Sequence, residues 1–299
     1  MCGIAGFIDP FLSTEGVCTP LGRMLDLIAH RGPDGAGTHV AQGLGLGMRR
    51  LSIIDLEGGG QPIWNENESI GVVFNGEIYN YLELRRELIA AGHEFRTQTD
   101  TEVLVHLYEQ LGEAMFARLR GMFAFALLDK SQHRLLLARD QFGQKPLYYT
   151  SNGDRFAFAS ELKCLLALPW VNWKRDPEAF PDYVSWLSLP SPRTHFLHIA
   201  KLPAGSCLSL PLTGQHQIEP RRYWRYELDG VPDLTALEPA VDALDSTLRD
   251  SIKLHLRADV PVGVLLSSGL DSRVVVTYAQ ELQEGRMQTF TVGFGRWTR

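Results

Sequence analysis

A cysteine at position 2, directly after the initiator methionine, is the side chain of this sequence best placed for covalent chemistry. Initiator methionine is ordinarily removed when a small residue follows, which would leave Cys2 with a free α-amine beside its thiol. An α-amine titrates at about 7.7–8.0, so part of it is neutral near pH 7 and can take the thiol proton, which makes one residue both nucleophile and base. The plainer reading is that Cys2 is a small buried hydrophobe, the commonest fate of a solitary cysteine, and position alone does not displace it. A second suggestive stretch is Ser267-Ser268-Gly269-Leu270-Asp271-Ser272, a small-residue turn between an apolar run and a helical pattern. Such a turn offers backbone N–H groups and the positive end of a helix to an anion, as phosphate loops do. It lacks the GxxxxGK[ST] spacing of a Walker A site.

The elements around these residues mix helix and strand. Tyr81, Leu84, Leu88 and Ile89 share one helical face, and Val103, Leu104, Leu107, Tyr108 and Leu111 share another. Strands are expected at 3–8, 45–47, 70–74, 122–129, 134–140 and 156–159, several separated by Asn-Gly, Asp-Lys or Asn-Gly-Asp turn chemistry. This pattern predicts antiparallel sheet covered by helices. The apolar run at 121–128 has the length of a buried strand rather than of a membrane span.

Prolines recur between Pro181 and Pro220, and the stretch 210–219 has weak strand or helix signal, so a boundary is expected nearby. Beyond it Val241, Leu244, Leu248, Ile252 and Leu256 recur at helical spacing. A buried strand at 260–266, the Ser/Gly turn, a helix from Ser272 to about Leu282 and a β-rich run at 288–294 follow. This βαβ order predicts parallel sheet, of which the sequence carries two strands, so a truncated second domain is expected.

The chain has 299 residues, 44% of them hydrophobic, enough for a full core and by length for two domains. A net charge of -6 and the lack of a Lys/Arg run argue against nucleic acid as a partner. The four cysteines are scattered, without a CxxC pair, which fits a reducing cytoplasm. Neither a secretory signal nor a run of about 18 apolar residues is present, so a membrane is not an expected partner either.

Several motifs occur in a fixed order: Met-Cys-Gly-Ile-Ala-Gly at 1–6, His30-Arg31-Gly32-Pro33-Asp34, Arg50-Leu51-Ser52-Ile53, Asn75-Gly76-Glu77-Ile78-Tyr79-Asn80, and Arg139-Asp140 with Gly143-Gln144-Lys145-Pro146-Leu147-Tyr148. Together they resemble the glutaminase domain of class II glutamine amidotransferases, and Ser267–Ser272 extends the resemblance to glutamine-hydrolysing asparagine synthetases over nearly the whole sequence. The resemblance implies an α+β N-terminal-nucleophile (αββα) glutaminase domain at 2–212, a linker at 213–238, and at 239–299 the start of an α/β ATP-pyrophosphatase-like domain.

It also implies residue roles. Cys2 attacks the side-chain amide of glutamine, and Asn75 and Gly76 supply the oxyanion hole. Read by itself, Asn75-Gly76 is a type I′ hairpin turn, and both readings can hold. Arg50 matches the position that binds the glutamine carboxylate and Asp100 the one that binds its ammonium, with backbone of Leu51, Ser52, Ile53, Ile54 and Glu77 lining the pocket. Taken alone, Arg50 and Asp100 are surface charges, and Asp100 also suits an N-cap of the second helix. His30 and Arg31 receive supporting roles. The glutaminase step needs no metal or cofactor.

In the other half the resemblance implies that Ser267, Ser268, Gly269, Asp271 and Ser272 grip pyrophosphate, with Leu266 and Val292 near the adenine nucleotide. Ser268 stands where the family has glycine, and a side chain there would crowd the phosphates or oppose a positive φ. Arg273 stands where serine is usual, and the tail 295–299 departs from the family's continuation. The ligands implied are glutamine, ATP with Mg2+, and aspartate, with a homodimer as one assembly to expect. The leading expectation is an asparagine synthetase of which, as cut here, only the glutaminase half works. The alternatives are a related amidotransferase with another carboxylate acceptor and a catalytically silent module.

Overall fold

The computed structural model describes residues 1–227 and 236–293, and the chain divides into two compact units, Met1–Tyr226 and Glu227–Arg299. In the first, chain order is β1 (Gly3–Ile8), α1 (Thr14–Leu27), β2 (Gly35–Ala41), β3 (Leu44–Arg50), β4 (Ile63–Trp64), β5 (Ile70–Ile78), α2 (Tyr81–Ala90), α3 (Val103–Leu111) and β6 (Gly121–Asp129). It continues with β7 (Arg134–Arg139), β8 (Tyr148–Asn152), β9 (Arg155–Ala159), α4 (Leu162–Leu166), β10 (Lys174–Arg175), α5 (Ala179–Trp186), β11 (Phe196–Leu197), β12 (Ile199–Lys201), β13 (Ser206–Pro211) and β14 (Arg221–Arg222).

Two six-stranded sheets carry the unit, ordered β12-β8-β9-β1-β3-β2 and β14-β13-β7-β6-β5-β4. Side chains alternate across each strand, and β6 uses the alternation to serve two layers. Its Phe123, Phe125 and Leu127 pack with Leu84, Leu88, Leu104 and Leu107 of α2 and α3, while Ala124, Ala126 and Leu128 face the other sheet. On β1, Ile4 and Ile8 join the inter-sheet core, whereas Ala5 and Phe7 pack with Val17, Leu21 and Met24 of α1. Helices thus cover the outer face of both sheets, and the architecture is α+β with αββα layering.

Several local expectations give way to this packing. Asn75-Gly76 is no hairpin turn: both residues lie within β5, Asn75 opposite Ala124 and Gly76 opposite Phe123 of β6. The long ladder with β6 outweighs the turn preference of the dipeptide. Asp100 does not cap α3, because its carboxylate is bonded to β5 and the residue preceding the helix is Glu102, whose side chain makes no cap bond. Ile89 is 50% exposed although it shares the apolar face of α2 by spacing. Strands β2, β8 and β13, absent from the sequence expectation, are built of Gly, Thr, Ser and Tyr among their apolar residues and give little alternation to read.

In the second unit α6 (Leu237–His255) precedes β15 (Gly263–Leu265), α7 (Leu270–Leu282) and β16 (Gln288–Phe290), with β15 and β16 parallel. The strand expected to be buried at 260–266 is shorter and covered on one face only: Val264 packs with Ile252 of α6 and Ala279 of α7, while Leu265 on the other face is 79% exposed. Val241 and Leu244 of α6 are exposed as well. The tail 295–299 and Phe294 lie outside the described residues. Among the described residues no helix is long and apolar enough to cross a membrane.

Candidate active site

Cys2 immediately precedes β1 and is held from three sides. The backbone N–H of Leu51 points at its Sγ (3.4 Å), the thiol donates to the Leu51 carbonyl (3.6 Å), and Arg31 Nε donates to the Cys2 carbonyl (2.9 Å). Arg31 is fixed in turn by Glu161, which also meets His30, so His30-Arg31 positions the N-terminal strand. Burial pushes the Cys2 thiol above its usual range, with the negative charge of Glu77 adding to the effect. The resting group is therefore a thiol that needs a base before it can attack.

The residues around Cys2 enclose a cavity of about 20 Å³, lined by Arg50, Leu51, Ile53, Ile54, Gln61, Phe74, Gly76, Glu77, Thr99, Asp100 and Thr101. That volume holds about one water, so an amino-acid ligand requires the walls to part. The segment after β3 supplies the candidate for this movement. Arg50 donates to the carbonyls of Ile54 (3.0 Å), Asp55 (2.6 Å) and Leu56 (3.2 Å), folding residues 51–56 around its own guanidinium. Ser52 does not line the cavity; its N–H donates to Asp34 at 2.8 Å.

Strand β5 forms the opposite wall. In an antiparallel strand successive N–H groups point to opposite sides, so those of Phe74, Gly76 and Ile78 share a direction. Phe74 N–H is taken by Gln61 Oε1 (2.7 Å) and Ile78 N–H by Asp100 Oδ2 (2.8 Å). Gly76 N–H lies between them and faces the cavity that Gly76 lines. A Cβ at Gly76 would sit 2.1 Å from the Met122 carbonyl oxygen, so the close approach of β6 demands glycine here. Asn75, two residues on from Val73, shares the inter-sheet face against which Cys2 also packs. It is buried, and neither its side-chain nitrogen nor its oxygen has a hydrogen-bond partner. A buried amide without partners is costly. Asn75 itself is not among the residues lining the cavity, and with the cavity-facing N–H of Gly76 beside it, its amide would make a pair of donors for a developing oxyanion.

Two carboxylates complete the wall. Burial raises Asp100 above the usual carboxylate range against the pull of the Ile78 N–H and the Thr99 hydroxyl. Burial likewise raises Glu77, and the charge of Asp100 raises it further. Such a pair welcomes a cationic ligand that would relieve both effects. Lys145 is the nearby cation, itself buried and lowered by that burial. It is delivered by a turn in which Asp140 accepts the N–H groups of Phe142, Gln144 and Lys145 while Arg139 ties down the carbonyls of Gly143 and Lys145. Sequence reasoning passed over Gln61, Thr99 and Thr101, and gave Lys145 no role although one of the motifs contains it. Gln61 has no local signal, since its role is to satisfy a strand N–H across a loop.

The loop of the second unit is also formed. Gly269 N-caps α7 without a side-chain cap bond, and Ser267 Oγ lies 2.9 Å from Ser272 Oγ. Ser268 has no positive φ, so its side chain meets no backbone penalty there. Ser267, Ser268, Gly269 and Asp271 are exposed and Ser272 partly so; Leu266 N–H pairs with the Phe290 carbonyl (2.8 Å), and Val292 is exposed. The open first turn of α7 and the serine hydroxyls fit an anionic ligand.

Two antiparallel sheets between helical layers, with a cysteine at the head of a central strand, are the architecture of the N-terminal-nucleophile fold. The chain belongs to the glutamine amidotransferase domain family, whose model matches residues 1–224, and a second model, asparagine synthase, matches residues 243–298. It is 41% identical, over 98% of its length, to the glutamine-hydrolyzing asparagine synthetase 1 of Bacillus subtilis, of which it covers 46%. It is 36% identical to a putative glutamine-hydrolyzing asparagine synthetase of Methanocaldococcus jannaschii over 98% of this chain and 60% of that one. The chain thus spans about half the length of the curated relatives it matches. Among solved structures, the glutamine phosphoribosylpyrophosphate amidotransferase of B. subtilis aligns with a TM-score of 0.52 at 18% identity, over 97% of this chain and 65% of that one, a likeness of fold.

Proposed function

We propose that this chain carries the glutaminase unit, and the first elements of the synthetase unit, of a glutamine-hydrolysing asparagine synthetase. The observation that carries the proposal is the buried, unpartnered amide of Asn75 next to Gly76, which lines one cavity with Cys2, Arg50 and Asp100. In this reading Met1 is removed, and the α-amine of Cys2 takes the thiol proton as sulfur attacks the amide carbon of glutamine. Asn75 and Gly76 hold the oxyanion of the tetrahedral intermediate. Its collapse expels ammonia, protonated by the same amine, and leaves a thioester that water hydrolyses to glutamate. Asp100, seconded by Glu77, holds the substrate ammonium. Arg50 holds the carboxylate once its fork releases some of the 54–56 carbonyls. Leu51, Ile53 and Ile54 supply backbone to the pocket, whereas the Ser52 N–H stays with Asp34.

The synthetase reading rests on the family match and on the anion-fitting loop. Leu266, Ser267, Ser268, Gly269, Asp271, Ser272 and Val292 would hold ATP, with Mg2+ accompanying its phosphates, so that aspartate is adenylated and then aminated to asparagine. The boundary between the units falls within 213–238, and a homodimer in the cytoplasm is the proposed state, the cysteines being unpaired. With the sheet of the second unit this small, ammonia release rather than asparagine synthesis is the activity expected of these residues alone. Ammonia and glutamate production from glutamine by protein with Met1 confirmed absent, compared with Cys2→Ala, tests the reading. Equal release by both proteins, or none from a folded parent, overturns it.

A further inference from the structure

Outside the cavity, four side chains from three separate segments converge. Glu66 comes from the β4–β5 connection, His93 from just past α2, and His106 and Glu109 from successive turns of α3, three residues apart and so on one face. One donor atom from each lies within 4.8 Å of the others. His93 Nδ1 is 3.1 Å from Glu66 Oε1 and 4.0 Å from Glu109 Oε2, and His106 Nδ1 is 3.3 Å from Glu66 Oε2.

We infer that Glu66, His93, His106 and Glu109 form a site for a divalent transition-metal ion of the Zn2+ type. Two imidazoles and two carboxylates are a donor set that suits zinc, and two negative charges match a dication. A tetrahedral ion with bonds of about 2.0–2.2 Å sets its ligands about 3.4 Å apart, a modest contraction of the present cluster. The independent sign of a ligand is His106. It is fully buried, yet neither ring nitrogen makes a hydrogen bond although carboxylate oxygens of Glu66 and Glu102 stand 3.3 and 3.6 Å away. A fully buried imidazole left with only these two poorly aligned carboxylate contacts is rare in a satisfied core.

The surroundings also have the form of an outer shell. Glu102 Oε1 faces His106 Nε2, Asn65 Nδ2 donates to Glu109 Oε2 at 3.0 Å, and the N–H of Glu94 donates to Glu66 Oε1 at 3.0 Å. Partners of this kind fix ring tautomer and carboxylate orientation in metal sites. Glu66 and Glu109 keep 29% and 33% of their side chains exposed, which gives an ion a way in. Bound there, the ion clips the β4–β5 connection to α2 and α3 and steadies Glu102, two residues beyond Asp100. Its role is structural, since no donor lines the cavity of Cys2.

The test is titration of the chelator-stripped full chain with Zn2+ alone, read by calorimetry and by thermal unfolding, on the parent, His93→Gln, Glu109→Gln and Cys2→Ala. One ion per parent chain and a raised Tm are expected, unchanged in Cys2→Ala, with affinity reduced in both ligand variants by more than the about 10–100-fold that loss of an outer-shell partner costs. Circular dichroism matching the parent keeps those variants informative. Co2+ in place of Zn2+ should give tetrahedral ligand-field bands without thiolate charge transfer. Absence of stoichiometric binding, binding retained in both ligand variants, or binding lost with Cys2 overturns the site and leaves an ion-free histidine–carboxylate network.

Discussion

Asp100 Oδ2 accepts the backbone N–H of Ile78 at 2.8 Å, so the carboxylate proposed to bind the substrate ammonium is bolted to the strand that carries Asn75 and Gly76. The groups proposed for ammonium recognition and for oxyanion stabilisation therefore share one rigid element, and a displacement of either moves both. Asp100→Asn retains an oxygen acceptor for Ile78 but loses the charge. Removing one member of a buried charge pair costs about 2–5 kcal/mol, so KM for glutamine should rise by roughly 100-fold with the fold intact, as steady-state glutaminase assays and circular dichroism would register.

Asn75→Ala separates chemistry from stability. Loss of one oxyanion-hole donor lowers kcat by about 10²–10³, whereas the amide it removes is buried without partners, so Tm should hold or rise. A variant that loses both activity and Tm would mean that Asn75 is a structural residue.

The glycine beside it behaves differently. In Gly76→Ala the new methyl would lie 2.1 Å from the Met122 carbonyl oxygen, a backbone atom that cannot step aside. The strands must part, which should depress Tm by several degrees, overpacking costing about 1–3 kcal/mol, and abolish glutamine turnover. Thermal unfolding followed beside the assay distinguishes this from the Asn75 result.

How far the sequence speaks differs from residue to residue. Cys2, Arg50, Asn75, Gly76 and Glu77 are named by motif and Asp100 by its match to a family position, yet what each touches is set by register. Asn75-Gly76 reads locally as a turn because the dipeptide's preference is short-range, while its place in β5 is decided by nine residues paired with β6. Asp100 reads as a helix cap because only the chain path across to Ile78 reveals its partner. The layered fold is legible in the alternation of β1 and β6, whereas β13 enters the sheet through a register with β7 that no local pattern encodes. Gln61, Lys145 and the Glu66–His93–His106–Glu109 cluster arise from segments far apart in sequence, which periodicity cannot join.

The raised carboxyls give two pH dependences of opposite use. Glu77 and Asp100 hold protons in the folded protein at pH values where the unfolded chain has released them. The stability they contribute is present at acid pH and is lost as pH rises through their raised values. Glutamine binding runs the other way, because the ammonium needs the ionised form, so KM should fall as pH rises through the same window. Glu77→Gln removes the repulsion, and its Tm should decline less than the parent's between mildly acidic and mildly alkaline pH. Parallel slopes for the two proteins would show that Glu77 does not titrate in that window.

Gly59 controls the Arg50 fork from outside the motif that contains it. A Cβ at Gly59 would lie 2.2 Å from Arg50 Nη2, the nitrogen that donates to the Ile54 and Asp55 carbonyls. A long side chain can yield where backbone cannot, so Gly59→Ala should fold normally but carry its guanidinium displaced from the cavity. One charge-assisted hydrogen bond is worth about 1.5–3 kcal/mol, which predicts KM for glutamine raised at least tenfold. The oxyanion donors and Cys2 are untouched, so kcat at saturating glutamine should stay near the parent value. A matched fall in kcat instead would mean that the 51–56 segment positions the nucleophile, through the Leu51 contacts to its sulfur, as well as binding the carboxylate.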